Sequence, residues 1–309
     1  MIGITAIGTA LGANTHDNYA RGAAEDRPAE FITDKIGFSS VKRMEKGLET
    51  SDLCVQAFDN LTAKHAVDLE KVQCVIVVTQ NPDGHGLPHT SAILHKKLGL
   101  PQSVAAFDLS LGCSGFVYGM SVIQSFMEAN GMTTGLLFTA DPYSKVLSDT
   151  DFTTQVLFGD AAACTLFTDD PVYTASKAMF ATDGNGSEAL YVKTDNRELT
   201  MDGREVFNFT MRTVPKQMKE CLKINELEAE DIDAFLLHQA SKYIITNMSK
   251  RLGVDPEKVP FGLPEVGNCV SSTIPLMLDR TLDQKHNTIL ISGFGVGLSW
   301  ATNILKRVR

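Results

Sequence analysis

A cysteine flanked by small residues stands at the junction between a strand and a buried helix. Cys113 lies between Gly112 and Ser114, after an apolar run that ends near Asp108 and before an almost wholly apolar segment. The start of a helix carries unpaired N–H groups and positive dipole, which favour a thiolate and lower the pKa of a cysteine. The sequence therefore predicts a nucleophilic Cys113. The alternative is a small buried apolar residue, which is the usual role of a cysteine.

Two further polar residues occupy positions where functional side chains commonly emerge. His238 ends the apolar run that begins at Ala234, and the ends of strands in α/β proteins face ligand sites. Asn268 follows Gly267, so it is either a turn residue or an amide donor to a developing negative charge. The glycine-rich loop 293–299 matches neither the dinucleotide nor the P-loop pattern, but it could aim a backbone N–H at a pocket. A structural histidine is the alternative for His238.

Length and composition indicate an ordinary globular enzyme. The 309 residues, 43% hydrophobic and 21% charged, allow one large domain or two fused halves. The net charge of −9 argues against binding to nucleic acid or to an anionic membrane, which both need a basic face. The six cysteines form no CxxC pair, so we expect free thiols and no metal site. We expect no signal peptide and a cytoplasmic location.

Short apolar runs alternate with helical patterns, which is typical of an α/β protein. The apolar runs are continuous rather than alternating, as expected for strands that are covered on both faces. Cap residues and apolar spacing predict helices at 50–65, 114–127 and 241–252. The predicted strands lie at 2–7, 74–79, 104–108, 135–139, 162–167, 234–238, 288–292 and 300–305.

A weak internal repeat indicates two related halves. A strand, a glycine-containing turn and a second strand occur at 135–167 and again at 288–305. Such self-similarity is the mark of a duplicated unit. We therefore predict an N-terminal half, residues 1–170, that holds the candidate nucleophile. A C-terminal half, residues 171–309, would hold the candidate histidine and asparagine.

Taken together, these motifs resemble the β-ketoacyl-acyl-carrier-protein synthase III family of thiolase-like condensing enzymes. The resemblance runs along nearly the whole chain in order. It implies an α/β, thiolase-like fold in which two similar halves, related by pseudo-two-fold symmetry, form a layered αβαβα core. It also implies a homodimer. The motifs are the Cys113 elbow, Phe158-Gly-Asp160, Met201-Asp-Gly-Arg-Glu-Val-Phe207, His238-Gln-Ala, Gly267-Asn268 and Phe294-Gly-Val-Gly.

The resemblance assigns a role to each candidate residue. Cys113 would hold the acyl group as a thioester, and the backbone N–H groups of Cys113 and Val296 would form the oxyanion hole. His238 and Asn268 would bind the carbonyl oxygen of a malonyl-type thioester while carbon dioxide leaves. The resulting carbanion would attack the acylated cysteine. No metal or redox cofactor is implied, and the substrates are thioesters of coenzyme A or of acyl carrier protein.

The rim of the predicted site departs from the family pattern. Phe31 is nearest to the family's adenine-stacking Trp, and Phe152 occupies the place of an Arg. Ser241 and Tyr243 replace an Asn and an Arg, and the basic pair Lys42–Arg43 is a displaced substitute for another Arg. Phe and Tyr cannot make the bidentate phosphate contacts of Arg. We therefore expect a specialised acyl starter, longer or unusual, that is delivered on a carrier protein.

Further residues are predicted to contact the substrates or the carrier. Phe207 is expected beside the pocket. Leu87 belongs to the loop 81–91, which is expected near the subunit contact, and it would help to shape the acyl pocket. Basic residues on two predicted helices would dock an acidic carrier protein, or they are ordinary solvated charges. They are Lys242, Lys250 and Arg251, with Arg204, Arg212, Lys216 and Lys219 upstream.

Two other functions would use the same scaffold. One is acyl transfer to an oxygen or nitrogen acceptor without formation of a carbon–carbon bond. Retention of Asn268 beside His238 favours condensation, because a simple acyltransferase has less need for a pair of donors that binds an enolate. The other is a non-catalytic partner subunit. Such a chain would be free to lose Cys113 or either donor, whereas this chain keeps all three.

Overall fold

Strands and helices alternate along most of the chain, whose computed structural model describes residues 1–309. The strands are β1 (Gly3–Leu11), β2 (Asn14–Asp17), β3 (Ser40–Arg43), β4 (Cys74–Val78), β5 (Ala105–Leu109), β6 (Thr134–Ala140), β7 (Ala161–Thr168), β8 (Tyr173–Ala175), β9 (Met179–Thr182), β10 (Leu190–Val192), β11 (Leu199–Met201), β12 (Ala234–Leu237), β13 (Thr288–Gly295) and β14 (Ser299–Arg307). The α-helices are α1 (Asn18–Ala24), α2 (Thr50–Thr62), α3 (Thr90–Leu98), α4 (Gly115–Ala129), α5 (Phe152–Leu157), α6 (Gly203–Ile224), α7 (Lys242–Leu252) and α8 (Thr273–Thr281).

The main sheet repeats one pairing pattern at its two ends. Its order is β12-β13-β14-β8-β1-β7-β6-β4-β5, with β9 beside β14. β4 is parallel to β6, and β6 is antiparallel to β7; in the same way β12 is parallel to β13, and β13 is antiparallel to β14. The two ends meet where Ile4 of β1 pairs with Tyr173 of β8. The division at residue 170 stays a prediction, and it falls in the connection between β7 and β8.

Helices cover both faces of each half of the sheet. α2 and α3 pack on the outer face of the N-terminal strands, and α6 packs on β13 and β14. Between the halves, α4 contacts β4 and β6 on one side and β13 and β14 on the other, while α8 contacts β1 and β12. The largest apolar cluster, with 42 buried residues, fills this central space, and two clusters of 18 lie under the outer helices. The layers are therefore αβαβα.

Two glycines let α4 lie close to the sheet. A Cβ on Gly115 would lie 2.4 Å from a methyl carbon of Val78, and a Cβ on Gly119 would lie 2.9 Å from the other methyl of that residue. Any larger side chain would push the helix away from β4. Because α4 begins two residues after Cys113, this close packing determines the depth of the candidate nucleophile.

The predicted strands and helices are all present, with differences at their ends. The strand predicted at 288–292 continues to Gly295, where the backbone reaches the candidate site. The sequence Thr50-Ser-Asp52 predicts a cap at the start of α2, but this prediction was wrong, because Glu49 is the N-cap and forms a capping box with Asp52. The hydroxyl of Thr50 instead donates to the carbonyl of Asn81. None of the helices combines the length and apolar character needed to cross a membrane.

Candidate active site

Three distant segments bring Cys113, His238 and Asn268 to one cavity of about 340 Å³. Cys113 lies in the turn between β5 and α4, His238 directly follows β12, and Asn268 precedes α8. All three residues are almost fully buried, with exposures of 4%, 1% and 4% in that order. The structure thus places a thiol, an imidazole and a carboxamide around a single enclosed space.

Asn268 is held by backbone and side-chain hydrogen bonds. Its N–H donates to the carbonyl of Leu157 at 2.9 Å, and its carbonyl accepts from the N–H of Gly159 at 3.0 Å. A Cβ on Gly159 would lie 2.0 Å from the carbonyl oxygen of Val266, which explains the glycine at this point of the chain. The side-chain Oδ1 accepts from the N–H of Val270 at 2.9 Å. The amide NH2 is therefore the end that remains available as a donor.

His238 is neutral at physiological pH. Its backbone N–H donates to the carbonyl of Ser292 at 2.9 Å, which holds it beside the end of β13. Burial lowers the pKa of its imidazole to about 3, although a backbone contact with Val270 acts in the opposite direction. Nδ1 lies 2.8 Å from Oγ1 of Thr273. Nε2 is therefore the nitrogen that is left for the cavity.

The hydroxyl of Thr273 bears on which imidazole nitrogen carries the proton. A neutral imidazole has one N–H and one bare nitrogen. If Thr273 donates to Nδ1 of His238, Nε2 carries the proton and can donate into the cavity. If Thr273 donates to the carbonyl of Val270, at 3.2 Å, Nε2 is bare. The 2.8 Å contact between Nδ1 and Oγ1 fits either arrangement, and the chemistry proposed below requires the one in which Nε2 carries the proton. Sequence reasoning missed Thr273, since nothing local separates it from the small polar residues before it.

Cys113 is a thiol, and the predicted low pKa was wrong. The backbone N–H groups of Val296 and of Cys113 itself reach its sulfur and lower the pKa, but burial outweighs them and raises it to about 12. The buried carboxyl of Asp141 acts in the same direction as burial. The helix begins only at Gly115, so the contribution of its dipole is small compared with the loss of hydration. The sulfur must therefore lose its proton as it attacks.

The glycine-rich loop brings the turn between β13 and β14 against the cysteine. A Cβ on Gly295 would lie 2.6 Å from Sγ of Cys113, and one on Gly293 would lie 2.5 Å from the carbonyl oxygen of that residue. A Cβ on Gly112 would lie 2.5 Å from a methyl carbon of Val296. Glycine at these positions allows the backbone N–H of Val296 to reach the sulfur, as the sequence pattern suggested.

The chain is similar to known proteins in both sequence and structure. Family models described as 3-oxoacyl-[acyl-carrier-protein (ACP)] synthase III and as the C-terminal part of that enzyme match residues 107–186 and 222–307. The chain is 33% identical over 300 residues to a β-ketoacyl-[acyl-carrier-protein] synthase III of Streptococcus mutans, with 91% of each chain covered. The chain belongs to the β-ketoacyl-[acyl-carrier-protein] synthase III family.

Solved structures of synthase III enzymes share the fold. A crystal structure of a 3-oxoacyl-(acyl-carrier-protein) synthase III matches with a TM-score of 0.93, 31% identity and 99% of each chain covered. The enzyme from Thermus thermophilus matches with a TM-score of 0.91, 30% identity and 99% of each chain covered. The predicted family and the thiolase-like α/β fold are thereby confirmed, and the chain is a member of a family of condensing transferases.

Of the residues predicted to contact substrate in this synthase III family member, some line the cavity and others do not. Phe207 and Ser241 line it, and Ser241 also caps α7. Phe31 and Phe152 pack on each other with ring centroids 6.1 Å apart and do not line the cavity, so their contact with substrate stays a prediction. Leu87 also lies outside this cavity, and its side chain is 94% exposed on an outward-facing loop.

The basic pair at the end of β3 makes hydrogen bonds within the protein. Lys42 donates through Nζ to the hydroxyl of Thr15 at 2.7 Å. Arg43 is buried, and its guanidinium donates to the carbonyls of Phe158 and Gln155. The guanidinium therefore satisfies backbone carbonyls at the C-terminal end of α5. The prediction of a phosphate contact for Arg43 was wrong.

Other charged groups stand at the cavity instead. Lys35 and Arg204 both line it and are exposed to solvent. Nζ of Lys35 lies 3.9 Å from the ring centroid of Tyr243. The cavity mouth therefore carries two cations. Arg204 belongs to the motif at 201–207, whereas Lys35 was missed at the level of sequence.

A buried acid braces the loops around the cavity. Asp141, at the end of β6, accepts from the N–H of Gln80 at 2.6 Å and from the hydroxyl of Ser271 at 2.6 Å. Burial raises the pKa of its carboxyl to about 6. Because Gln80 follows β4 and Ser271 follows Asn268, this carboxyl ties two active-site loops to one strand. Sequence reasoning missed Asp141.

Proposed function

We propose that this chain joins an acyl group held on Cys113 to a malonyl-type thioester with loss of carbon dioxide. The observation that carries the proposal is the convergence of a thiol, a neutral imidazole and an amide NH2 on one cavity. In the first step, Sγ of Cys113 bonds to the acyl carbon of a donor thioester, and the donor's carbon–sulfur bond breaks. The proton of the cysteine ends on the departing thiol, so the step balances.

The second step uses the two donors. Nε2–H of His238 and the NH2 group of Asn268 would hold the carbonyl oxygen of the malonyl-type thioester. When carbon dioxide leaves, its bonding electron pair forms an enolate at that oxygen, and both donors stabilise the charge. The enolate carbon then attacks the acyl-cysteine, and the carbon–sulfur bond breaks with its electron pair going to Sγ of Cys113. The sulfur takes up a proton from solvent to regenerate the thiol, and a β-ketoacyl thioester is released. Each such donor is worth about 3 kcal/mol in the transition state. The backbone N–H groups of Cys113 and Val296 would hold the oxyanion.

The test separates the two steps. The purified protein is incubated with an acyl thioester, and Cys113 acylation is followed by intact-mass spectrometry; a malonyl thioester is then added, and carbon dioxide and β-keto product are measured. We expect Asn268→Ala to acylate normally and to condense about 10²-fold more slowly, whereas Cys113→Ala loses both steps. An acyl-cysteine that transfers only to an alcohol or amine would support the O- or N-acyltransferase alternative. Absence of any acyl-cysteine would indicate a non-catalytic subunit.

We also propose a specialised starter delivered on a carrier protein, in fatty-acid or secondary-metabolite synthesis. Two aromatic pairs support it: Phe31 with Phe152, and Phe207 with Tyr243, whose ring centroids lie 5.3 Å apart. Where the family pattern has adenine and phosphate contacts, these rings pack on one another. The guanidinium of Arg27 lies 5.4 Å from the centroid of the Phe152 ring. A coenzyme A nucleotide would have to displace these contacts, whereas a carrier protein needs only its flexible arm to enter.

A basic groove beside the cavity supports docking of an acidic carrier. The groove, of about 710 Å³, is lined by Arg212, Lys216 and Lys219 of α6 and by Arg251 of α7. Phe207 lines both this groove and the catalytic cavity, so the cations stand next to the mouth. Such a concentration of charge in a chain of net charge −9 favours docking over ordinary solvated charge.

The other predicted docking residues contribute differently. Lys242 donates through Nζ to the carbonyl of Thr33 at 3.2 Å, and Lys250 is exposed on α7 outside the groove. We expect Lys216→Glu to raise the KM for a carrier-bound donor and to leave a small thioester donor unchanged. Lys71→Glu, an exposed cation before β4, is the matched control and should change neither. Equal KM values for all three proteins would contradict the docking proposal.

A homodimer would cover two features of the single chain. β5 is the last strand of the sheet and pairs only with β4, so its outer edge is free to pair with another strand. Leu87 is 94% exposed on the loop that follows β4. We propose that a second copy covers both, and that Leu87 contributes to the partner's acyl pocket. Light scattering of the protein and of Leu87→Asp tests this; a monomer at micromolar concentration would contradict it.

A further inference from the structure

One unsatisfied hydroxyl stands at the catalytic cavity. Four buried side-chain atoms have no hydrogen-bond partner: Oδ1 of Asn18, Oγ of Ser91, Oγ1 of Thr165 and Oγ1 of Thr210. Of these residues, only Thr210 lines the cavity that holds Cys113. Thr210 is fully buried, with 0% exposure. A buried hydroxyl without a partner is costly, so its presence at this position calls for a ligand that satisfies it.

The helix itself does not satisfy this hydroxyl, although a helical threonine ordinarily can donate to a carbonyl three or four residues earlier. On α8, Thr281 donates to the carbonyl of Met277 at 3.1 Å. On α5, Thr154 donates to the carbonyl of Asp151 at 3.2 Å. Thr210, in the interior of α6, makes no such bond. Its hydroxyl therefore differs from those of the other helical threonines by having neither backbone nor solvent as a partner.

Much of the cavity that Thr210 lines is apolar. Val206 and Phe207 of α6, Ile244 of α7 and Met201 of β11 line the same cavity. A thioester donor carried on coenzyme A or on a carrier protein enters through a pantetheine arm, which contains two amide groups. An amide that enters an apolar passage loses its water and needs a hydrogen-bond partner. A threonine hydroxyl can serve either end of an amide, because it both donates and accepts.

We propose that Thr210 is a substrate-positioning residue whose hydroxyl bonds to an amide of the donor's pantetheine arm. The inference rests on the proposed function, because it takes the donor to be a pantetheine thioester. The hydrogen bond holds the arm at a set depth in the cavity, so that the thioester carbonyl lies at Sγ of Cys113. The same contact serves donors on coenzyme A and on a carrier protein, since both end in this arm.

The test compares Thr210→Val, which keeps the shape and removes the hydroxyl, with Thr210→Ser, which keeps the hydroxyl. Acylation of Cys113 is measured with an acyl-pantetheine and with an S-alkyl thioester of the same acyl group that lacks amides. We expect Thr210→Val to lose about tenfold in kcat/KM with the acyl-pantetheine and nothing with the amide-free donor. Thr210→Ser should resemble the unchanged protein with both donors. An equal loss with both donors, or no loss with either, would overturn the proposal.

Two further readouts separate this inference from the function on which it rests. The S-methyl thioether of pantetheine cannot acylate the enzyme, so its binding by calorimetry reports the arm alone. Weaker binding to Thr210→Val supports the inference even if no condensation is found, and equal binding refutes it. Thermal unfolding gives the control: Thr210→Val should melt at the same temperature or higher, since an unpaired buried hydroxyl is removed. A marked drop in Tm would assign Thr210 a structural role instead.

Discussion

Replacing Thr273 by Val tests whether the second step depends on the proton position of His238. The change removes the hydroxyl 2.8 Å from Nδ1 of His238 and keeps nearly the same volume. The backbone of Val270 still contacts the imidazole, and its carbonyl can accept a hydrogen bond but cannot donate one. The imidazole proton moves to Nδ1 to make that hydrogen bond, and Nε2 is left bare toward the cavity. The enolate thereby loses one of its two donors.

The expected magnitude follows from the burial of the imidazole. With a pKa of about 3, only about one molecule in 10⁴ carries a second imidazole proton at pH 7, so the charged form does not rescue donation. Loss of one oxyanion donor costs about 3 kcal/mol, or about 10²-fold in rate. Acylation of Cys113 should be unaffected, because in the proposed mechanism His238 acts only on the malonyl-type substrate. Thr273→Val should therefore accumulate acyl-enzyme.

The assay follows each half-reaction by itself. Intact-mass spectrometry gives the rate of Cys113 acylation, and the rate of β-keto product from preformed acyl-enzyme gives condensation. Thr273→Ser keeps the hydroxyl and should condense near the rate of the unchanged protein. Nitrogen NMR of protein labelled at histidine reports the tautomer of His238 directly. Condensation at the full rate by Thr273→Val, or an equal fall in both half-reactions, would refute the reasoning.

Two other predictions concern Cys113 and the stability of the fold. Gly295→Ala should abolish acylation of Cys113 by intact mass while leaving the far-ultraviolet circular dichroism unchanged, because the new Cβ would lie 2.6 Å from Sγ; an acylated variant would contradict this. The folded-state pKa of His238, about 3, lies below its ordinary value, so the unfolded chain binds an extra proton between about pH 3 and pH 6.5. The free energy of unfolding is therefore unaffected by this group above that range. As the pH falls through the range, the free energy of unfolding decreases by about 1.4 kcal/mol per pH unit. Urea unfolding of His238→Gln should therefore show a shallower loss between pH 6.5 and pH 4.5 than the unchanged protein, and parallel curves would count against a neutral buried imidazole.

Much of the fold could be predicted from local sequence. Continuous apolar runs such as 74–79 and 288–292 can be buried only inside a covered sheet, and all the strands predicted in this way are present. The strands of the internal repeat, β6 with β7 and β13 with β14, occupy equivalent places at the two ends of the sheet. Cys113, His238 and Asn268 were predictable as a group because each stands at the end of a strand or the start of a helix, where the chain exposes a side chain to a ligand.

Tertiary structure alone decided the environment of those groups. The pKa of Cys113 depends on how completely other segments bury it, and burial outweighs the helix start that sequence reasoning relied on. Local sequence does not show the roles of Thr273, Asp141 and Thr210. These roles depend on hydrogen bonds to residues far away in the chain or on the lack of a hydrogen-bond partner. The contact between Phe31 and Phe152 is of the same kind, since neither segment by itself predicts it. Local sequence determines which conformation a segment prefers, whereas burial and hydrogen-bond partners are properties of segments brought together, and they set the chemistry of the site.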